Sequence, residues 1–245
     1  MPPFERMGFA NRQRTARKAM VEQSVRIVHS FVGFEAMIQA ERPNPAPRFR
    51  RLRRAELPID TIELARYLIG KTLVHDVPRG RLAGRIVETE AYPTGDPAGH
   101  AFTGHSRANQ SLFLRRGHAY VRFTYGVHWL MNVSSEIPGT GAGVLIRALE
   151  PLDGVAWMEE NRGTDVLRDL ARGPGRLAAA MGIDERFDGV DLCSPKSALW
   201  LGAAVRPVGA IGVTTRIGIT RAVHRKLRFY EKGNAFVSGP ARLRR

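Results

Sequence analysis

Polar and apolar residues alternate along Gly84-Arg-Ile-Val-Glu-Thr-Glu-Ala-Tyr92, the period of two that a β-strand imposes. That period predicts Ile86, Glu88, Glu90 and Tyr92 on one face and Arg85, Val87, Thr89 and Ala91 on the other. Two carboxylates and an aromatic ring then share a face, ahead of a Pro/Gly turn over 93–99 that brings in His100. Upstream, 61–70 reads as a short helix capped by Asp60 or Thr61 and closed by Gly70. Strands are predicted over 71–76 and 82–92 around an Arg79-Gly80 turn. Residues 93–117 form a Gly/Pro-punctuated segment of the length that tends to carry function. Next, 118–125 and 128–135 flank Gly126-Val127 as a β-hairpin with Tyr125 at its tip, and 143–150 is a strongly apolar strand.

The C-terminal third is more mixed. Residues 151–172 read as mostly helical, and a second helix is expected over 177–181 after Gly173-Pro-Gly-Arg176. Val208, Ile211, Val213, Ile217 and Ile219 suggest short strands within 207–220. A last strand is expected over 226–231, then a Gly233-Asn234 turn and 235–238. Strands and helices mix without βαβ regularity and no solenoid repeat is visible. The prediction is an α+β fold: one domain with a curved, mainly antiparallel β-sheet core, a protruding hairpin and surrounding helices.

The first 54 residues differ. Val21, Val25, Val28 and Val32 recur at helical spacing, so a basic amphipathic helix is expected over 17–41, followed by a Pro/Arg linker over 42–54. Residues 1–54 are therefore expected to be a basic, partly disordered extension, and 55–245 the functional domain. The alternative is that translation begins at Met20 or Met37.

Charge changes this picture most. The chain has 38 Lys and Arg against 23 Asp and Glu, a net +15, with +8 in residues 1–54 and +7 in the remainder. An anionic polymer is the expected partner, nucleic acid ahead of a membrane surface. The lone Cys193 excludes an internal disulfide and a cysteine-cluster metal site, and no cofactor is expected. No apolar run approaches 18 residues and no signal-peptide pattern opens the chain. The expectation is a cytoplasmic monomer, nucleoid-associated if bacterial, without a membrane partner.

Two more residues carry candidate chemistry. Arg147 lies within Val144-Leu-Ile-Arg-Ala-Leu149, where burial is expected, and a buried guanidinium needs an anionic partner or several acceptors. Glu88 or Glu90 would serve, and a purely structural salt bridge is equally open. Tyr125 is either a wedge between base pairs or an ordinary turn tyrosine.

Together these segments resemble the alkyladenine (3-methyladenine) DNA glycosylase family. The matching stretches are Arg-Ile-Val-Glu-Thr-Glu-Ala-Tyr (85–92), His100, 120–132 around Tyr-Gly, Leu-Ile-Arg-Ala-Leu-Glu-Pro (145–151), Gly-Pro-Gly-Arg-Leu (173–177) and Leu-Arg-Phe-Tyr (227–230). The resemblance spans about 57–238 and leaves the extension out. It implies a monofunctional glycosylase of base excision repair acting on double-stranded DNA that contains damaged purines. Those purines would be 3-methyladenine, 7-methylguanine, hypoxanthine or ethenoadenine. Glu90 would be the general base that activates water, and Arg147 would help position both. Tyr125 would fill the gap left by the extruded nucleotide. Tyr92 and His100 would line the base pocket, and Asn132 would crowd the 2-amino group of normal guanine. The chain departs from the pattern at Arg122, where some family members have an aromatic residue. Arg122 either points away from the pocket or shifts preference toward neutral lesions.

Rival readings remain. A glycosylase/lyase needs an amine nucleophile; Met1-Pro2 suggests one only superficially, and no convincing helix-hairpin-helix signature with a catalytic Lys and Asp is found. A noncatalytic lesion-binding damage sensor would use the same charge, wedge and pocket but has no need of Glu90. A structural or RNA-binding domain of related fold is the third reading.

Overall fold

The computed structural model describes residues 49–124 and 126–244; the helix expected over 17–41 and the side chain of Tyr125 lie outside the described residues. The fold is organised by one long strand. A first strand, β1 (Thr72–Val77), turns through Pro78-Arg79 into β2 (Gly80–Tyr92). Then come β3 (Ala119–Thr124), β4 (His128–Ser134), β5 (Gly143–Asp153), β6 (Leu199–Gly202), β7 (Ile211–Thr214) and β8 (Arg228–Glu231). These make one eight-stranded sheet in the order β3-β4-β5-β2-β1-β6, with β8 pairing both β2 and β7. Every pairing is antiparallel. β2 is long enough to change partners: its first half lies between β1 and β5, its second between β8 and β5.

Three α-helices cover the sheet among the described residues: α1 (Thr61–Leu68), α2 (Val155–Arg162) and α3 (Pro174–Met181). The expected α+β fold with a curled antiparallel sheet is therefore the one found. α1 starts at Asp60, whose carboxylate accepts from Ile62 N at 2.8 Å and Glu63 N at 2.9 Å. It buries Leu64, Ala65 and Leu68 in the main core, on the order of 1.5–3 kcal/mol for each leucine. α3 packs on β4 because Gly175 has no side chain: a Cβ there would lie 2.7 Å from the His128 ring. No helix among the described residues is long and apolar enough to cross a membrane.

Several expectations are corrected. The helix expected over 151–172 is mostly absent: β5 continues through Asp153, and α2 occupies only Val155–Arg162. Gly154 separates them at φ +69, where a Cβ would stand 2.3 Å from Arg81 O, so strand and helix meet at a left-handed corner. α3 begins at Pro174 rather than 177, since proline at the first helical position is pre-set for helix. Of 207–220 only Ile211–Thr214 is strand. The linker also packs further than expected. Leu52 is a core residue, its N–H bonds Leu201 O at 2.8 Å, and Arg51 bridges to Gly202.

The strand pattern itself breaks at one place. Ile86 pairs with Leu149, Glu88 with Ala148 and Thr89 with Ile146. Val87 is thus an extra residue on β2 and Arg147 an extra residue on β5, two bulges facing each other. Their consequence is a change of phase. Ile86 joins the main core with Ala91, whereas Val87 packs with Ala148, Tyr230 and Val237. Ile86 therefore does not share the face of Glu88, Glu90 and Tyr92, as simple alternation had predicted.

Candidate active site

Beyond the bulges, alternation holds, and Glu88, Glu90 and Tyr92 gather around Arg147. A bulge re-aims its residue, and the Arg147 guanidinium spans both carboxylates. Its Nε donates to Glu88 Oε1 at 2.8 Å and its Nη1 lies 3.1 Å from Glu90 Oε1. The partner question left open by spacing thus resolves to both glutamates. Burial works against the Arg147 charge, but Glu90 and Glu88 outweigh it and raise its pKa.

Glu90 has no exposed surface. Its Oε1 accepts from Ile217 N at 2.8 Å as well as meeting Arg147, and its Oε2 accepts from Tyr92 Oη at 2.9 Å. A carboxylate has about four acceptor directions, so Oε2 retains one that no donor among the described residues fills. Tyr92, Arg147 and Ile217 all line a cavity of about 610 Å³, so Glu90 stands immediately behind its wall. That volume falls within the range of small-molecule sites.

Tyr92 is held from two directions. Its hydroxyl binds Glu90, and the Arg216 guanidinium lies over one face of its ring, 4.6 Å from the centroid. Burial and the Glu90 carboxylate push the phenol well above its ordinary pKa, so it remains a donor. Arg216 also donates to Ala91 O at 2.9 Å and pairs with Asp96 at 2.8 Å, and Arg225 reaches the same carboxylate at 3.0 Å. Asp96 belongs to the 93–99 turn and both arginines to the segment after β7. This cluster fastens the two loops together over the site.

His100 follows that turn and lines the cavity, with Nδ1 3.1 Å from Tyr120 Oη. Asn109 donates to His100 O at 2.9 Å and to Gly104 O at 3.0 Å, which holds the loop. Desolvation by neighbours, then the Arg122 charge, lowers the His100 pKa and favours neutral imidazole. Asn132, on β4, lines the same cavity. Arg122 is exposed on β3, outside the cavity lining but beside Tyr120 and His100.

The structure thus joins Tyr92 and Arg147 each to Glu90, places His100 and Asn132 around one cavity with Tyr92 and Arg147, and leaves Arg122 outside the cavity lining. Sequence reasoning missed Asp96, Arg216 and the Ile217 N–H. An arginine in a loop of a basic chain carries no distinctive signal, and a backbone N–H carries none at all. Among the described residues that line the cavity there is no lysine.

Comparison with known proteins supplies the rest. A family model described as Methylpurine-DNA glycosylase (MPG) matches residues 55–235. A protein of Mesorhizobium japonicum named "Putative 3-methyladenine DNA glycosylase" is 62% identical over 190 residues, covering 78% of this chain and 91% of its own. A protein of the same name from Paraburkholderia phytofirmans is 57% identical over 192 residues, covering 78% and 90%. One from Granulibacter bethesdensis is 47% identical over 178 residues, covering 72% and 82%.

Proposed function

Since the chain belongs to the methylpurine-DNA glycosylase family, we propose that it excises alkylated or deaminated purines from duplex DNA with a water activated by Glu90. The activity class, a DNA glycosylase that hydrolyses N-glycosidic bonds, follows from membership. The mechanism is inferred from the chain's own residues.

A purine stacked in a duplex shields its glycosidic bond, so the nucleotide must leave the helix, at a few kcal/mol and less for a damaged base. Tyr125 is the residue proposed to fill the gap. The extruded base enters the cavity against the Tyr92 ring. Arg216 already covers one face of that ring, so the base takes the other. His100 and Asn132 contact its edges. Water hydrogen-bonds to the free acceptor direction of Glu90 Oε2. Its oxygen attacks the deoxyribose C1′, its proton passes to Glu90, and the C1′–N bond breaks with its electrons leaving on the base. The products are a free purine and an abasic site. Arg147 holds the carboxylate throughout, and with no lysine among the described residues of the cavity lining the reading is monofunctional, without strand cleavage.

The observation that carries this reading is Glu90, pinned by Arg147, Tyr92 and the Ile217 N–H directly behind the cavity wall. Its test is incubation with duplexes that each carry one lesion, followed by alkali. Strand breaks at the lesion that appear only after alkali are expected. Breaks without alkali would indicate a lyase, and no breaks at all would leave the lesion-binding sensor.

A further inference from the structure

Glu88 has no part in the cavity wall, yet it is among the most heavily coordinated groups in the molecule. It is fully buried. Oε1 accepts from Arg228 Nε at 2.6 Å, Arg147 Nε at 2.8 Å and Ser238 Oγ at 2.9 Å, and Oε2 accepts from Ser238 N at 2.6 Å. All four contacts are donors, and a protonated or amide side chain would set a donor against one of them. Burial alone would raise the Glu88 pKa, but Arg147 and Arg228 outweigh it and hold the carboxyl below the usual carboxylate range. Glu88 is therefore a buried carboxylate whose surroundings favour the anion.

Its anchor comes from an unexpected quarter. Ser238 lies beyond residue 235, where the family match ends. Arg228 Nη2 donates to Ser238 O at 2.9 Å, which ties the C-terminal turn to the same charges, and Arg244 Nη1 donates to Gly239 O at 2.7 Å within the C-terminal segment. The facing groups are Glu90 on β2, Arg147 on β5, Arg228 on β8 and Ser238 on the turn.

We propose that Glu88 is a positioning residue for the glycosylase reaction: gripped by Arg228 and Ser238, it aims Arg147 at Glu90 and keeps part of that guanidinium's charge committed elsewhere. The C-terminal turn is then part of the catalytic machinery although it touches neither cavity nor substrate. This inference rests on the glycosylase reading above.

The test is single-turnover excision against pH, with lesion-duplex affinity and thermal unfolding, for the full chain and for Glu88→Gln and Ser238→Ala. Glu88→Gln should slow excision on the order of 100-fold and leave affinity within about threefold. The acid limb of its rate profile should move to lower pH, because Arg147 then serves Glu90 alone. Ser238→Ala should slow excision about fivefold. Its acid limb should move slightly the other way, since Glu88, short of one donor, draws harder on Arg147. Folded variants with wild-type rates, or slow variants whose acid limb stays in place, overturn the proposal. If Glu88→Gln fails to fold, Ser238→Ala decides by itself. Wild type that excises through Glu90 while both variants behave normally refutes this inference alone; wild type that excises nothing refutes the glycosylase reading with it.

Discussion

Two buried arginine–carboxylate assemblies lie along β2, and only one of them borders the cavity. Near the start of the strand, Arg85 is completely enclosed and grips Glu231 with both Nη groups, Nη2 at 2.6 Å from Oε1. Glu231 also accepts from Gly209 N and Asn234 Nδ2, each at 2.9 Å. Near its end, Arg147 spans Glu88 and Glu90 with comparable distances and burial. A buried ion pair alone does not identify an active site. The difference is that Arg147 lines a cavity and Glu90, behind its wall, keeps an acceptor direction that no described donor fills, whereas neither Arg85 nor Glu231 reaches that cavity. Four donors fill the acceptor directions of Glu231, although Arg85 Nε is a buried donor without a partner; among the described residues only three donors meet Glu90, and the fourth direction is the one the proposed mechanism assigns to water.

The sharpest way to break this comparison is to remove one charge from each assembly. Glu90→Gln should lower the single-turnover excision rate by about 10²–10⁴-fold and leave lesion-duplex affinity near wild type. Retained excision in that variant would remove Glu90 from its role and favour the damage-sensor reading.

The Arg85 assembly should answer with stability instead. Arg85→Met strands Glu231 in the interior, and breaking a buried pair destabilises by about 3–5 kcal/mol, read as a shift in the denaturant midpoint. Excision per folded molecule should not change. Burial would raise the Glu231 carboxyl, but Arg85, the Gly209 N–H and Asn234 hold it at about 2, against an ordinary 4.5. A depressed folded pKa contributes stability that is complete above pH 4.5 and fades as pH falls toward 2. Without Arg85 that acid-linked loss should shrink. A variant that keeps wild-type stability, or loses activity per folded molecule, would erase the distinction between the two assemblies.

The sequence made some of this contrast visible. Period-two alternation correctly gathers Glu88, Glu90 and Tyr92, because β2 is regular beyond its bulge. It misplaces Ile86, because an inserted residue such as Val87 shifts the phase without any change in residue type. Burial of Arg147 follows from its apolar neighbours, but its aim comes from the opposing bulge, which depends on how two distant strands pair. β6 escaped notice because a four-residue apolar run, Leu199-Trp-Leu-Gly202, is too short to show a period. Val208, Ile217 and Ile219 suggested strand by apolar spacing, yet they lie in irregular segments. There Ile217 contributes its N–H to Glu90, and Ile219 lines the cavity. The resemblance pointed to Asn132, which composition and spacing did not single out and which lines the cavity, while the anchoring by Asp96, Arg216 and Ser238 needed coordinates.

The smallest expected effect concerns Arg122, which belongs to neither assembly. It lies outside the cavity lining, so it does not serve as a platform for the base. Its charge nevertheless reaches the site, since it lowers the pKa of His100. A cationic lesion such as 3-methyladenine should feel the same field and be disfavoured relative to neutral hypoxanthine. Two unit charges about 4 Å apart in high dielectric interact by about 1 kcal/mol, and the exposed position of Arg122 makes that a ceiling. Arg122→Tyr should therefore raise the ratio of 3-methyladenine to hypoxanthine excision by up to about fivefold at low salt. The gain should narrow as added salt screens the wild-type charge. An unchanged ratio at every salt concentration would mean that Arg122 acts only on DNA phosphates or on nothing, and that lesion preference is set wholly within the cavity.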